Sequence, residues 1–164
     1  FRPYTELRKS GGLARADERI MLDNLDAIMS RLDRFMMGEA EEVELDTRHE
    51  ILYDSSVFKV VDEIGGNEAR YLLFSQGMKA FVSIVARRAD GRLVCSIGRK
   101  SQHVRFPVDM FYDDLNHLEG LNRSNGWNGS GLVGGSSREN GTGLTWEVIR
   151  DCLNQRLKLE GIIS

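Results

Sequence analysis

The sequence predicts an α/β chain of the α+β kind: a mixed sheet of about five strands with flanking helices, preceded by an amphipathic linker helix. Three observations predict it. Apolar residues between Ala16 and Phe35 recur at three- and four-residue steps. From Glu50 the pattern shortens to β-rich runs parted by turn chemistry. Two further helical patterns follow, opened by Pro107 and by Thr145. At 164 residues, 41% hydrophobic and a formal charge of −3, the composition argues against disorder and allows one real core. No run approaches the ~20 apolar residues of a membrane helix. Cys95 and Cys152 fit neither a disulfide framework nor a zinc ribbon, and read as buried hydrophobes in a reducing, cytoplasmic setting.

The lead segment, 1–48, is built on the first helix. Ile20, Met21, Leu25, Ile28, Met29, Leu32 and Phe35 form its stripe, charged residues lie between them, and Gly38 suits its end. An acidic connection, residues 39–44, follows. The chain opens Phe1-Arg2-Pro3-Tyr4 without an initiator methionine, as expected of a processed chain or a piece of a longer protein.

The body, 49–164, begins with Ile51-Leu52-Tyr53, Val57–Val61, Tyr71-Leu72-Leu73-Phe74, Ala80–Val85 and Leu93–Ile97, all read as strands. Asp54-Ser55-Ser56, Gly65-Gly66-Asn67, Gln76-Gly77 and Asp90-Gly91 separate them, and Asp90-Gly91 is a hairpin signal. Pro107 suits the first turn of a helix whose Met110, Phe111, Leu115 and Leu118 share a face. A last helix runs from Thr145, as N-cap, to about Leu159.

Charge is unevenly spread. Residues 1–54 carry 8 basic against 13 acidic side chains, and residues 55–164 carry 14 against 12. Arg87, Arg88, Arg92, Arg99, Lys100 and Arg105 face only Asp90 within their segment, which also holds His103. Such a cluster either solvates a sheet edge or seats an anion.

Residues 125–143 form a loop rich in Gly, Asn and Ser. Glycines let a backbone approach a ligand and turn its N–H groups toward an anion. Ser136, Ser137, Asn140 and Thr142 add short polar groups, and Arg138 adds a planar cation suited to phosphate oxygens. No Gly-Lys-Ser/Thr follows, so this is not a P-loop, and the spacing does not fit a dinucleotide fingerprint. Read alone, the loop is either a structural glycine corner or an anion cradle.

Several segments occur in a recognisable order: Lys79–Ile84, Val94–Lys100, Phe106–Asp109, Leu115–Gly120, Gly126–Ser130 and Gly134–Thr142. In this order the chain resembles the C-terminal, DHH-associated domain of DHH-family phosphoesterases, in the exopolyphosphatase-related or oligoribonuclease-like branch. The resemblance covers about residues 49–160 and implies a substrate-binding domain facing a catalytic N-terminal domain. In that family the glycine-rich motif contacts the phosphate and sugar of the substrate. The matching positions are Gly134, Gly135, Ser136, Arg138, Asn140, Gly141 and Thr142, with Arg99, Lys100 and His103 expected to bring cations to the same cleft.

Many relatives carry a His after the paired glycines, where this chain has Ser136, and a pair of alanines where it has Glu139-Asn140. The family's manganese ions are held by Asp and His residues, including an Asp-His-His run. His49, His103 and His117 form no such run, so manganese is expected in the parent's other domain, and no catalytic or metal-binding residue is expected here. The expected partners are a phosphate-bearing small molecule or short oligonucleotide and the parent's own catalytic domain, with a homodimer as a further expectation and no membrane. A non-catalytic nucleic-acid module and a dimerisation domain with a structural glycine loop are the alternatives.

Overall fold

The computed structural model describes residues 16–39 and 44–164. The chain divides into two units, Phe1–Glu44 and Leu45–Ser164. The opening tetrapeptide and residues 40–43 of the acidic connection lie outside the described residues. In the first unit, helix α1 spans Glu18–Met36 and starts where Asp17 accepts a hydrogen bond from the Ile20 N–H at 2.9 Å. Glu18 in the first turn and Arg34 in the last match the helix dipole. No α1 residue is buried.

The second unit begins with β1 (Glu50–Asp54), β2 (Lys59–Asp62), α2 (Glu68–Ser75), β3 (Ala80–Arg87) and β4 (Leu93–Arg99). Helix α3 (Val108–Glu119), β5 (Asn128–Gly129), β6 (Val133–Gly135) and α4 (Trp146–Leu159) complete it. The fold class is the expected one: a mixed sheet of six strands in the order β1-β2-β3-β4-β6-β5. Only β2 and β3 run parallel.

That parallel pair explains one correction. Tyr71–Phe74, expected as a strand, lies inside helix α2. Parallel neighbours need a crossover, most often a helix, and α2 supplies it by burying Ala69 and Leu73, one turn apart. A short apolar run does not reveal its own period. Asp90-Gly91 does close the β3–β4 hairpin: Gly91 has φ +83, and the Arg88 N–H donates to the Arg92 carbonyl at 2.9 Å. Pro107 sits at the N-cap of α3, one residue before the expected first turn, and Gly120 ends the helix in the left-handed region at φ 66.

Period-2 alternation sends Val82, Ile84, Cys95 and Ile97 to one sheet face. There Phe111, Tyr112 and Leu115 of α3 and Ile149, Leu153 and Leu157 of α4 cover them. Phe81 and Val61 point the other way, onto Leu73 and Met78. Under α2 the Glu63 carboxylate is wholly buried against Arg70, whose guanidinium also lies 4.6 Å from the Phe81 ring centre. Arg156 of α4 grips Asp114 of α3 through two bonds of 2.6 and 2.8 Å, locking the helix layer that backs the glycine loop.

Candidate anion site

Helix α3 positions the glycine-rich loop with three inward-reaching side chains. Asn116 is buried and binds the Trp127 backbone twice. Its Oδ1 accepts from the Trp127 N–H at 2.7 Å and its Nδ2 donates to the Trp127 carbonyl at 2.9 Å. A Cβ on Gly126 would overlap Oδ1, so this approach requires glycine. Glu119 receives the Trp127 indole N–H at 2.9 Å, the Thr142 hydroxyl at 2.7 Å and the Gly143 N–H at 2.8 Å. Tyr112 donates to the Ser130 carbonyl at 3.0 Å, and burial pushes its phenol up to about 12. Its hydroxyl lies where side chains on Gly129 and Gly134 would stand.

The loop contains β5 and β6, which the sequence reading left as a glycine loop. β6 is inserted between β4 and β5, pairing Ser96 with Gly135 and Ile97 with Gly134. A Cβ on Gly135 would collide with the Cys95 carbonyl. The missing signal was period and length: strands of two and three residues, three of the five glycine, have neither alternation nor β-branched enrichment.

The cations expected in one cleft fall at the two ends of β4, while Gly134, Gly135 and Ser136 lie along its middle, opposite Ile97, Ser96 and Cys95. Arg99, Lys100 and His103 lie at its C-terminal end. Thr142 pairs with Leu93 at its N-terminal end, carrying Arg138, Asn140 and Gly141 with it. Seven residues at ~3.3 Å rise put the ends about 20 Å apart.

At the first end the β5–β6 hairpin tip meets Arg99. The Arg99 Nε donates to the Gly131 carbonyl at 2.8 Å, and Nη1 donates to the Val104 carbonyl at 2.9 Å and the Gln102 carbonyl at 3.4 Å. Its backbone N–H donates to the Leu132 carbonyl at 2.9 Å. Nη2 has no hydrogen-bond partner among the described residues and lies 3.8 Å from where a side chain on Gly131 would begin. The guanidinium is therefore half-buried and fixed on two sides by carbonyls, with Nη2 beside Gly131, the tip residue without a side chain. Lys100 and His103 are exposed beside it, Lys100 Nζ reaching the Phe74 carbonyl at 3.2 Å. The Asp109 carboxylate is the acidic neighbour, 2.8 Å from the same Gly131 position.

At the other end most polar groups of the loop hold the fold. Ser136 accepts from the Cys95 N–H at 2.9 Å through Oγ, and Thr142 is wholly buried. Gly141, at φ +67, makes the turn and packs beside the Leu93 carbonyl and the Arg88 and Arg92 side chains. Gly134 and Gly135 are half-buried within the sheet, opposite Ile97 and Ser96 and so nearer the Arg99 end. Arg138 and Asn140 are exposed, and Arg92 donates to the Asn140 carbonyl at 3.4 Å. Arg88 pairs with Asp90 at 3.7 Å, and Arg87 with Asp62. Three arginines thus gather about the turn, with Asp90 and Glu139 as acidic neighbours.

Sequence reasoning passed over Asn116, Glu119, Tyr112 and Gly131. Asn116 and Glu119 lie within the resembling segment Leu115–Gly120, for which the resemblance implies no role. Their three-residue spacing places both on one face of α3. Among the described residues, no group of three or more His, Cys, Asp or Glu side chains could hold a metal ion. Among them, no helix is long and apolar enough to cross a membrane. No family model, no curated protein and no solved structure matches the chain.

Proposed function

We propose that this chain is the substrate-binding part of a manganese-dependent phosphoesterase of the DHH kind, acting on short oligonucleotides, nucleotide phosphates or polyphosphate. The β5–β6 hairpin tip would seat the phosphate. The observation that carries the reading is the guanidinium of Arg99, held by carbonyls beside Gly131 of the hairpin tip. An arginine already oriented by carbonyls loses little side-chain entropy on binding, and charged hydrogen bonds to phosphate are the strong ones. The order of the resembling segments and the basic end of β4 support the same reading. In this reading, manganese and the chemistry at phosphorus belong to the parent's other domain. This chain's part is to hold the substrate and offset its charge. The arginines about Gly141 favour a second seat, with Arg138 as its exposed cation.

Calorimetric titration with a short oligoribonucleotide and, separately, with polyphosphate tests this. Saturable binding that weakens with salt is expected, reduced about tenfold or more by Arg99→Ala. Arg99→Lys, with circular dichroism of each variant, separates a lost contact from a lost loop. An effect of Arg138→Ala alone would move the seat to the other end of β4. Absence of binding by the wild-type chain, or indifference to both substitutions, would overturn the proposal. So would phosphodiester hydrolysis by this chain alone.

A further inference from the structure

Helix α1 carries an apolar stripe that is largely exposed, with no α1 residue buried. Met21, Leu25, Ile28, Leu32 and Phe35 follow in steps of four, three, four and three, the seam of a helix that packs lengthwise on another. Leu22, Met29 and Met36 widen the seam on one side. Met21, Leu22, Leu25, Met29 and Leu32 are about half exposed, and Phe35 and Met36 are 72% and 82% exposed. An isolated helix of this length is marginal in water and gains most of its stability by burying such a face.

We propose that α1 pairs antiparallel with α1 of a second copy of this chain. Two observations select this occupant. The first is charge. The N-terminal half of α1 and its cap carry Asp17, Glu18, Asp23 and Asp26 against Arg19, whereas the C-terminal half carries Arg31 and Arg34 against Asp33. A parallel pair would stack acid on acid. An antiparallel pair brings each acidic half to the basic half of its partner and opposes the two helix dipoles favourably. Centred between Asp26 and Ala27, this arrangement faces Leu25 with Ile28 and Met21 with Leu32, and places Asp23 level with Ser30, the residue before Arg31.

The second observation is area. The exposed stripe amounts to on the order of 800 Å² per copy, so two copies would remove up to about 1,600 Å² from water, the size of a stable interface. The pairing is independent of the anion site and would deliver two such sites in one particle.

Light scattering after size exclusion, from about 5 to about 200 μM chain, tests it. The expected mass is twice 18.5 kDa at the upper concentrations, and Leu25→Glu with Leu32→Glu should weaken association at least about tenfold. Both positions are exposed, so circular dichroism of the sheet unit should not change. Orientation has its own variant: Glu18→Arg with Asp23→Arg should weaken an antiparallel pair and strengthen a parallel one. A monomer throughout the range overturns the proposal. So does a dimer indifferent to the leucine substitutions, or one strengthened by the arginine substitutions.

Discussion

Replacing Asn116 by alanine should cost the second unit a large part of its stability. The amide is 4% exposed and satisfies both backbone groups of Trp127, itself fully buried. Its removal strands one N–H and one carbonyl. Each buried, unpaired group costs about 1–3 kcal/mol, so about 3–4 kcal/mol together is the expected loss. A domain of this size is held by about 5–15 kcal/mol. Urea unfolding followed by far-ultraviolet circular dichroism would show the midpoint falling with little change in slope. Asn116→Asp separates geometry from charge. Its carboxylate could still accept from the Trp127 N–H, but its second oxygen would face the Trp127 carbonyl. The protonated acid would donate there instead, so the folded state raises this carboxyl above its ordinary range. The variant should then be most stable at acid pH and lose stability as pH rises through that raised value. A loss below about 1 kcal/mol for Asn116→Ala would refute the reasoning, because the loop would then be held without this anchor.

Other expectations are narrower. Gly135→Ala drives a methyl into the Cys95 carbonyl and should cost about 3 kcal/mol or more in the same urea assay. Gly143→Ala, whose added methyl would stand 3.8 Å from Glu119 Oε1, should cost under about 0.5 kcal/mol. Glu119→Gln, measured by phosphate-ligand titration, should weaken binding at the hairpin tip less than Arg99→Ala, since Glu119 anchors the loop at Trp127 and Thr142. Burial raises Cys152 to about 11, so about a thousandth is thiolate at pH 8 and thiol labelling should quicken roughly tenfold per pH unit. Burial raises Cys95 to about 12, and it should label only on unfolding. Because the folded thiol of Cys95 stays neutral while an unfolded one ionises near 9.0, its contribution is intact below 9 and is lost as pH climbs toward 12. Asp114→Asn should loosen α3 from α4 by about 1 kcal/mol, read from the urea midpoint.

The larger elements were legible in the sequence because the helices hold one period for several turns and the long strands are β-rich runs between turn signals. α1, α3 and α4 each carry an apolar stripe, and β3 and β4 are β-rich runs bounded by turn residues. Tyr71–Phe74 failed because four apolar residues satisfy either period, and only the parallel pairing of β2 with β3 decides between them. β5 and β6 were hidden because their residues are selected for what they lack: Gly129, Gly134 and Gly135 admit the Tyr112 hydroxyl and the β4 backbone. The individual cations were legible as residue types. Their division between the ends of β4 was not, since that depends on the antiparallel register of β6, which no local pattern announces.

The brevity of β6 has a consequence for solubility. Strand β4 is buried along nearly its whole length and would present an apolar, hydrogen-bonding margin if left open. β6 closes it with three residues, and β5 ends the sheet with two, both exposed. So short a terminal strand, part glycine, offers few groups in register and little side-chain surface for another chain to copy. The glycine hairpin thus finishes the sheet as a poor template for growth. A chain truncated after α3 would lack that cover and would be expected to associate through β4.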